Sequence, residues 1–230
     1  MMMQMRQLLW KDYRLNRGLL VLSVVGLAGV YVAGLTVEFS HTWPAIPAPQ
    51  AWADGVYSYG HLSLSVMPFI AALLGGNAIA CERADRSAHF LAYLPPTKLR
   101  IVASKVIVVA SAVAVFCCGN LLLMYAVAPR LAEDPADFMY MMGSPAATFA
   151  GCLFTFGIGW LGSACLEKPT IPVLAALASP IVLAMILTTL AALLGISRFE
   201  LVEWSPIIGL WVGIAAFCAG TWCYFRRVEP

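Results

Sequence analysis

Charge is what this chain has least of: 11% of its 230 residues are Asp, Glu, Lys or Arg, against about 25% in soluble domains. That excludes a globular fold covered by polar side chains. Lysine is scarcer still. Lys11, Lys98, Lys105 and Lys168 follow Trp10, Thr97, Ser104 and Glu167, so none completes a G-x-x-x-x-G-K-[ST] phosphate-binding loop, and ATP hydrolysis by that route is excluded. The three histidines, His41, His61 and His89, lie apart, and there is no H-E-x-x-H, which removes the zinc-protease pattern. Ser163 follows Gly162 as an intramembrane nucleophile would, yet no histidine stands in the later apolar runs to activate it. All seven cysteines, Cys81, Cys117, Cys118, Cys152, Cys165, Cys218 and Cys223, fall within apolar runs or at their inner ends. They read as small buried thiols rather than disulfides or metal ligands. A net charge of +2 gives no reason to expect nucleic acid.

Long apolar runs are what the chain has in excess, with 61% hydrophobic residues and a mean hydropathy of +0.84. Crossing about 30 Å of hydrocarbon takes about 20 helical residues. Six stretches suffice: 19–37, 59–80, 106–128, 145–166, 171–195 and 206–225. The fourth and fifth are parted only by Glu167, Lys168, Pro169 and Thr170, which makes them a helical hairpin. The first run is longer than a signal-peptide core and leads into Thr36, Val37 and Glu38 without a small-residue cleavage site, so it is expected to be retained. The fold class is therefore all-α integral membrane, one transmembrane domain over 1–230, with no internal repeat and no soluble domain.

Basic residues orient the spans, because cytoplasmic segments keep Lys and Arg. Arg6, Lys11, Arg14, Arg17, Arg83, Arg86, Lys98, Arg100, Lys105, Lys168, Arg226 and Arg227 fall on one side, and only Arg130 and Arg198 on the other. Both termini are expected to be cytoplasmic. Trp43, Trp52, Tyr57, Tyr59 and Trp204 flank the outer loops as interfacial anchors do. No acidic or basic residue is expected deep in a span, which disfavours a proton relay or ion-coupled transporter. Asn77, Asn120, Thr148, Thr155, Thr188 and Thr189 read as hydrogen-bond partners between helices.

Two segments on the basic side carry more information than the spans. Over 1–18, Met5, Leu8, Leu9 and Leu15 share a helical face while Arg6, Lys11 and Arg14 lie elsewhere, so an interfacial helix is expected, with Arg6, Leu9, Trp10, Lys11 and Arg14 as its contact residues. An ordinary positive flank that only fixes topology explains these residues equally well. From Glu82 to Lys105 a charged stretch with Arg83, Asp85, Arg86 and Ser87 leads into a short apolar helix carrying Phe90, Leu91 and Leu94. Pro95 and Pro96 then stop the helix. Phe90 or Leu91 beside Leu94 makes an apolar face in a loop. Gly209-x-x-x-Gly213 in the sixth span would let helices pack closely.

Here the chain resembles the type 2 ATP-binding-cassette permeases, the membrane subunits of a large group of exporters. The resemblance covers most of its length. It rests on LLWKDYRLNRG before the first span, six spans with both ends inside, and an inner loop of the form E-R-x-D/E-x-[SG]-x-x-x-L-x-x-L-P, supplied by Glu82, Arg83, Asp85, Ser87, Leu91, Leu94 and Pro95. After the charged run the common family form has Gly and Thr, where this chain has Ser87 and Ala88. The resemblance implies that the loop between spans two and three is a cytoplasmic coupling helix seated in a separate ATPase subunit, which holds the ATP and Mg. It further implies a permease homodimer or heterodimer, no enzyme activity or cofactor in this chain itself, and a place in the bacterial cytoplasmic membrane. A non-transporting membrane scaffold or assembly factor is the alternative from another class.

Overall fold

A computed structural model of the chain describes residues 2–42, 48–84, 97–127, 135–195 and 197–227. They form seven helices: α1 Met2–Thr42, α2 Ala48–Asn77, α3 Ala80–Ala84, α4 Lys98–Val127, α5 Pro135–Cys165, α6 Thr170–Leu194 and α7 Arg198–Arg227. There is no strand among the described residues. Six stretches are long and apolar enough to cross a membrane: Met5–Val37, Gly55–Glu82, Lys98–Ala126, Pro145–Cys165, Thr170–Leu194 and Trp204–Arg226. These are the six runs of the sequence, although the third begins eight residues earlier than expected, at Lys98 rather than 106, and the first differs at its start. The expected interfacial segment 1–18 and the first span are one unbroken helix of 41 residues, about 60 Å long at 1.5 Å per residue.

The chain divides into two compact units. The first comprises Met1–Asn16, Pro68–Ala110 and Phe149–Pro230. Its centre is the second half of α2 against α5, and 61% of the most apolar window of each of these spans is buried. Helices touch so closely there that side chains are excluded. A Cβ on Gly159 would sit 2.8 Å from the Gly76 backbone nitrogen, and one on Gly213 would sit 2.6 Å from the Leu153 carbonyl oxygen. Gly157 meets the Gly213 carbonyl from the other side. Of the expected Gly209 and Gly213 pair, Gly213 is therefore the contact point, whereas a Cβ on Gly209 would find its nearest neighbour at 3.8 Å. Trp160 fills the same core, fully buried, with its indole N–H donating to Thr221 Oγ1 at 3.2 Å and Phe217 5.4 Å away ring to ring.

α6 is the opposite case, with 11% of its window buried. Its inward stripe is Pro172, Ala176, Leu187 and Ala191, while Leu174, Ile181, Met185, Leu190 and Leu193 point outward and are exposed. Small residues in and large apolar residues out suit a helix whose solvent is lipid. Gly195, at φ 67°, ends it in the left-handed conformation that glycine adopts freely, its N–H donating to the Ala191 carbonyl.

The second unit comprises Arg17–Met67 and Ser111–Thr148. Val56 packs there against Tyr31, Leu35 and Tyr57. The Tyr31 hydroxyl donates to Asn120 Oδ1, and Asn120 Nδ2 donates to the Gly60 carbonyl at 2.9 Å, tying α1, α2 and α4 together.

Candidate functional site

Of the polar side chains buried in the first unit, Asp12, Glu82, Ser104, Lys105 and Ser163 gather around a break in the helix ladder, while Thr155 bonds elsewhere, to the Pro68 carbonyl. α2 ends at Asn77 and α3 begins at Ala80, so two backbone N–H groups at the junction need an acceptor from elsewhere. Ser163 of α5 supplies it. Its Oγ accepts from Ile79 N–H at 2.9 Å and from Ala80 N–H at 2.7 Å, and the side chain is wholly buried. The serine that stood in a nucleophile-like position is thus a cap. The short helix it caps carries Glu82.

Glu82 meets two lysines. Lys105 of α4 places its ammonium 2.9 Å from Glu82 Oε1, and Lys11 of α1 pairs with the same oxygen. Lys105 also reaches Asp12 Oδ1 at 3.3 Å. Ser104 donates to Asp12 Oδ2 at 2.5 Å, with the Ile101 carbonyl 2.9 Å from the same hydroxyl. Among the described residues two ammonium groups and two carboxylates therefore meet in balance. The balance matters because Asp12, Glu82 and Lys105 are 2%, 3% and 5% exposed, and a lone charge so buried would be driven out or neutralised. Lys11, with a side chain 28% exposed, is the one member that water reaches. Nearby, Lys98 Nζ donates to the Phe225 carbonyl at 3.3 Å, which ties the start of α4 to the end of α7.

The cluster joins α1, α3 and α4 through three ion pairs and one hydroxyl-to-carboxylate hydrogen bond. Among the described residues no three His, Cys, Asp or Glu side chains gather as metal ligands would.

The expected site residues fare unequally. Glu82, expected to face a partner, is occupied inside the chain. Arg83 lies in α3, its side chain outside the described residues, and Asp85, Arg86, Ser87, Phe90, Leu91, Leu94 and Pro95 lie outside them altogether. Of the apolar residues expected to share a face of α1, Leu8 is buried on the same side of the helix as Asp12, Met5 is half-buried and Leu15 is exposed. Arg6, Trp10 and Arg14 are exposed, and Leu9 and Lys11 are half-buried. Lys105, which stands just before the third apolar run at 106–128, lies seven residues into the stretch that starts at Lys98 and is buried. Of the amides and hydroxyls expected to bond between helices, Asn120 does so, as does Thr155, whose hydroxyl lies 2.7 Å from the Pro68 carbonyl. Asn77, Thr188 and Thr189 bond back to their own helices at Leu73, Ala184 and Met185.

No protein-family model matches this chain, nor does any curated protein or solved structure.

Proposed function

We propose that this chain is the permease subunit of an ATP-binding-cassette exporter, moving a cargo across a bacterial cytoplasmic membrane with ATP that a separate subunit binds with Mg and hydrolyses. In this reading both termini are cytoplasmic, the loop after Ala84 seats in the ATPase, and two permeases pair as a homodimer or heterodimer. Six membrane-length helices and the E-R-x-D-x-S loop pattern support the reading. One observation carries it furthest: Glu82, at the root of that loop, is held by Lys11 and Lys105. A displacement of the loop by closing ATPase subunits is then passed through one carboxylate to the first and third spans together. Without the two lysines the loop could swing and leave the spans at rest.

The test is purification of the full chain with its native partners, followed by mass identification of whatever copurifies. An ATPase bearing a phosphate-binding loop is expected, with ATP hydrolysis by the complex and none above background by the chain alone. Phe90→Asp should weaken copurification severalfold without disturbing membrane insertion, since a charge there abolishes an apolar contact. Should Phe90→Asp and Leu94→Asp both retain the ATPase and full export, the coupling role is wrong. Copurification of other membrane chains and no ATPase would favour a scaffold.

A further inference from the structure

The first four turns of α1 hold a surface that the permease reading leaves unused. At about 100° per residue, Arg6, Trp10, Tyr13, Arg14 and Arg17 fall within a sector of roughly 100°. All five are exposed, Trp10 by 61%, and the Trp10 and Tyr13 rings lie 5.7 Å apart. The opposite side is the buried one, with Leu8 and Asp12. Asp12 is the only acidic residue before Glu38, and Ser104 and Lys105 hold it. Three arginines therefore face outward with no carboxylate on their side of the helix. A shallow groove beside them is lined by Arg6, Gln7, Leu9, Trp10 and Tyr13, a cation at one end and apolar walls along the rest.

We propose that this face binds anionic phospholipid, with the arginines on headgroup phosphates and the Trp10 and Tyr13 rings against the glycerol and upper acyl region. Length places the face at the right depth. The window Met5–Val37 holds 33 residues, about 50 Å of helix, whereas a bilayer with its headgroups is about 40–45 Å thick. A continuous helix too long for the hydrocarbon core carries its basic turns into a headgroup layer, where Trp and Tyr also concentrate. That continuity favours lipid over a protein partner. A helix joined to its span by a flexible link could turn this face anywhere, but α1 has no such link. Charge then selects among lipids, because each arginine near an anionic surface raises binding roughly fivefold.

The experiment is native mass spectrometry of the purified full chain equilibrated with phosphatidylglycerol and phosphatidylcholine in equal amounts. The wild-type chain should retain phosphatidylglycerol preferentially, and raising salt from about 0.1 M to about 1 M should erode the preference, as the screening length falls from about 10 Å to about 3 Å. The variant Arg6→Gln, Arg14→Gln, Arg17→Gln should lose on the order of a hundredfold in preference. Because those arginines also help to set topology, Arg6→Lys, Arg14→Lys, Arg17→Lys serves as the matched control. It should keep a preference sensitive to salt. Lys168→Gln with Arg226→Gln, basic positions off this face, should change nothing. Equal retention of the two lipids by the wild type overturns the proposal, as does a glutamine variant that binds like the wild type or an equal loss in the Lys168 and Arg226 control. If the glutamine variant keeps its lipid and instead sheds a copurifying protein, the face is a protein-docking surface and the lipid assignment is wrong.

Discussion

α1, α4 and the α2–α3 segment are fastened twice, by different chemistry. In the first unit the fastening is ionic: Lys11 and Asp12 from α1, Glu82 from α3, Ser104 and Lys105 from α4. In the second it is neutral, with Tyr31 from α1, Gly60 from α2 and Asn120 from α4. The neutral tie sits five or six residues inside the Val37, Gly55 and Ala126 ends of the three spans, where a tyrosine and an amide can be buried once each has a partner. The ionic tie lies toward the other ends, beside segments rich in Lys and Arg. The difference lies in what happens on failure. Loss of a neutral partner leaves one unsatisfied hydrogen bond. Loss of a charged partner leaves a buried ion, which costs more than the pair was worth.

The largest expected effect breaks the ionic tie. Glu82→Ala leaves Lys11 and Lys105 facing each other without their shared carboxylate, and should destabilise the chain by about 3–5 kcal/mol. The readout is the unfolding midpoint of the purified full chain in detergent. Adding Lys105→Met should not recover the loss, because it takes from the buried Asp12 its ammonium partner. If Glu82→Ala proves milder than removal of Asn120, the ionic tie is not the stronger of the two, and the contrast between the units fails.

This asymmetry shows what a sequence lets one read and what it hides. The six spans were legible because apolar runs are local. The hairpin turn at 167–170 was legible for the same reason, and α5 ends at Cys165 and α6 begins at Thr170, each one residue earlier than the apolar runs suggest. The ionic cluster was not, since its partners are 23 to 93 residues apart and nothing in a single chain says which charges meet. Lys105 read as one more basic flank and Glu82 as a loop charge, while Asp12 drew no notice amid four basic neighbours. One signal was available: a lone acid on the apolar side of an amphipathic segment needs a buried partner. The break between α2 and α3 also had a local sign in Gly75, Gly76 and Asn77, residues that favour a helix end. That Ser163 caps this break depends on tertiary contact alone.

A medium effect is expected from exporting charge to the neutral tie. In Asn120→Asp the carboxylate can still accept from Tyr31, but it has no N–H to offer the Gly60 carbonyl and cannot neutralise itself against a lysine. A charge within a span costs about 2.5–3.5 kcal/mol on insertion-based scales, and a loss near that size is expected in the same unfolding measurement. If Asn120→Asp is tolerated without loss, the second unit has water or a cation at Asn120. Neutrality would then not be what distinguishes it.

The smallest expected effect measures the neutral tie itself. Tyr31→Phe removes only the hydroxyl, and Asn120→Ala removes its acceptor together with the donor to Gly60. A double-mutant cycle between them isolates the Tyr31 to Asn120 hydrogen bond. Bonds between helices in membrane proteins average about 0.6 kcal/mol and reach about 1.7 kcal/mol, since the unfolded chain in the membrane finds other partners. A coupling in that range is expected, with Asn120→Ala alone costing more than Tyr31→Phe alone because it also removes the donor to the Gly60 carbonyl. The order of those two single variants is the sharper test. If Tyr31→Phe costs as much as Asn120→Ala, the contact with Gly60 contributes nothing, and the second unit joins α1 to α4 while leaving α2 held by packing alone. A coupling above about 3 kcal/mol would make the neutral tie as demanding as the ionic one, and burial depth rather than charge would then govern both.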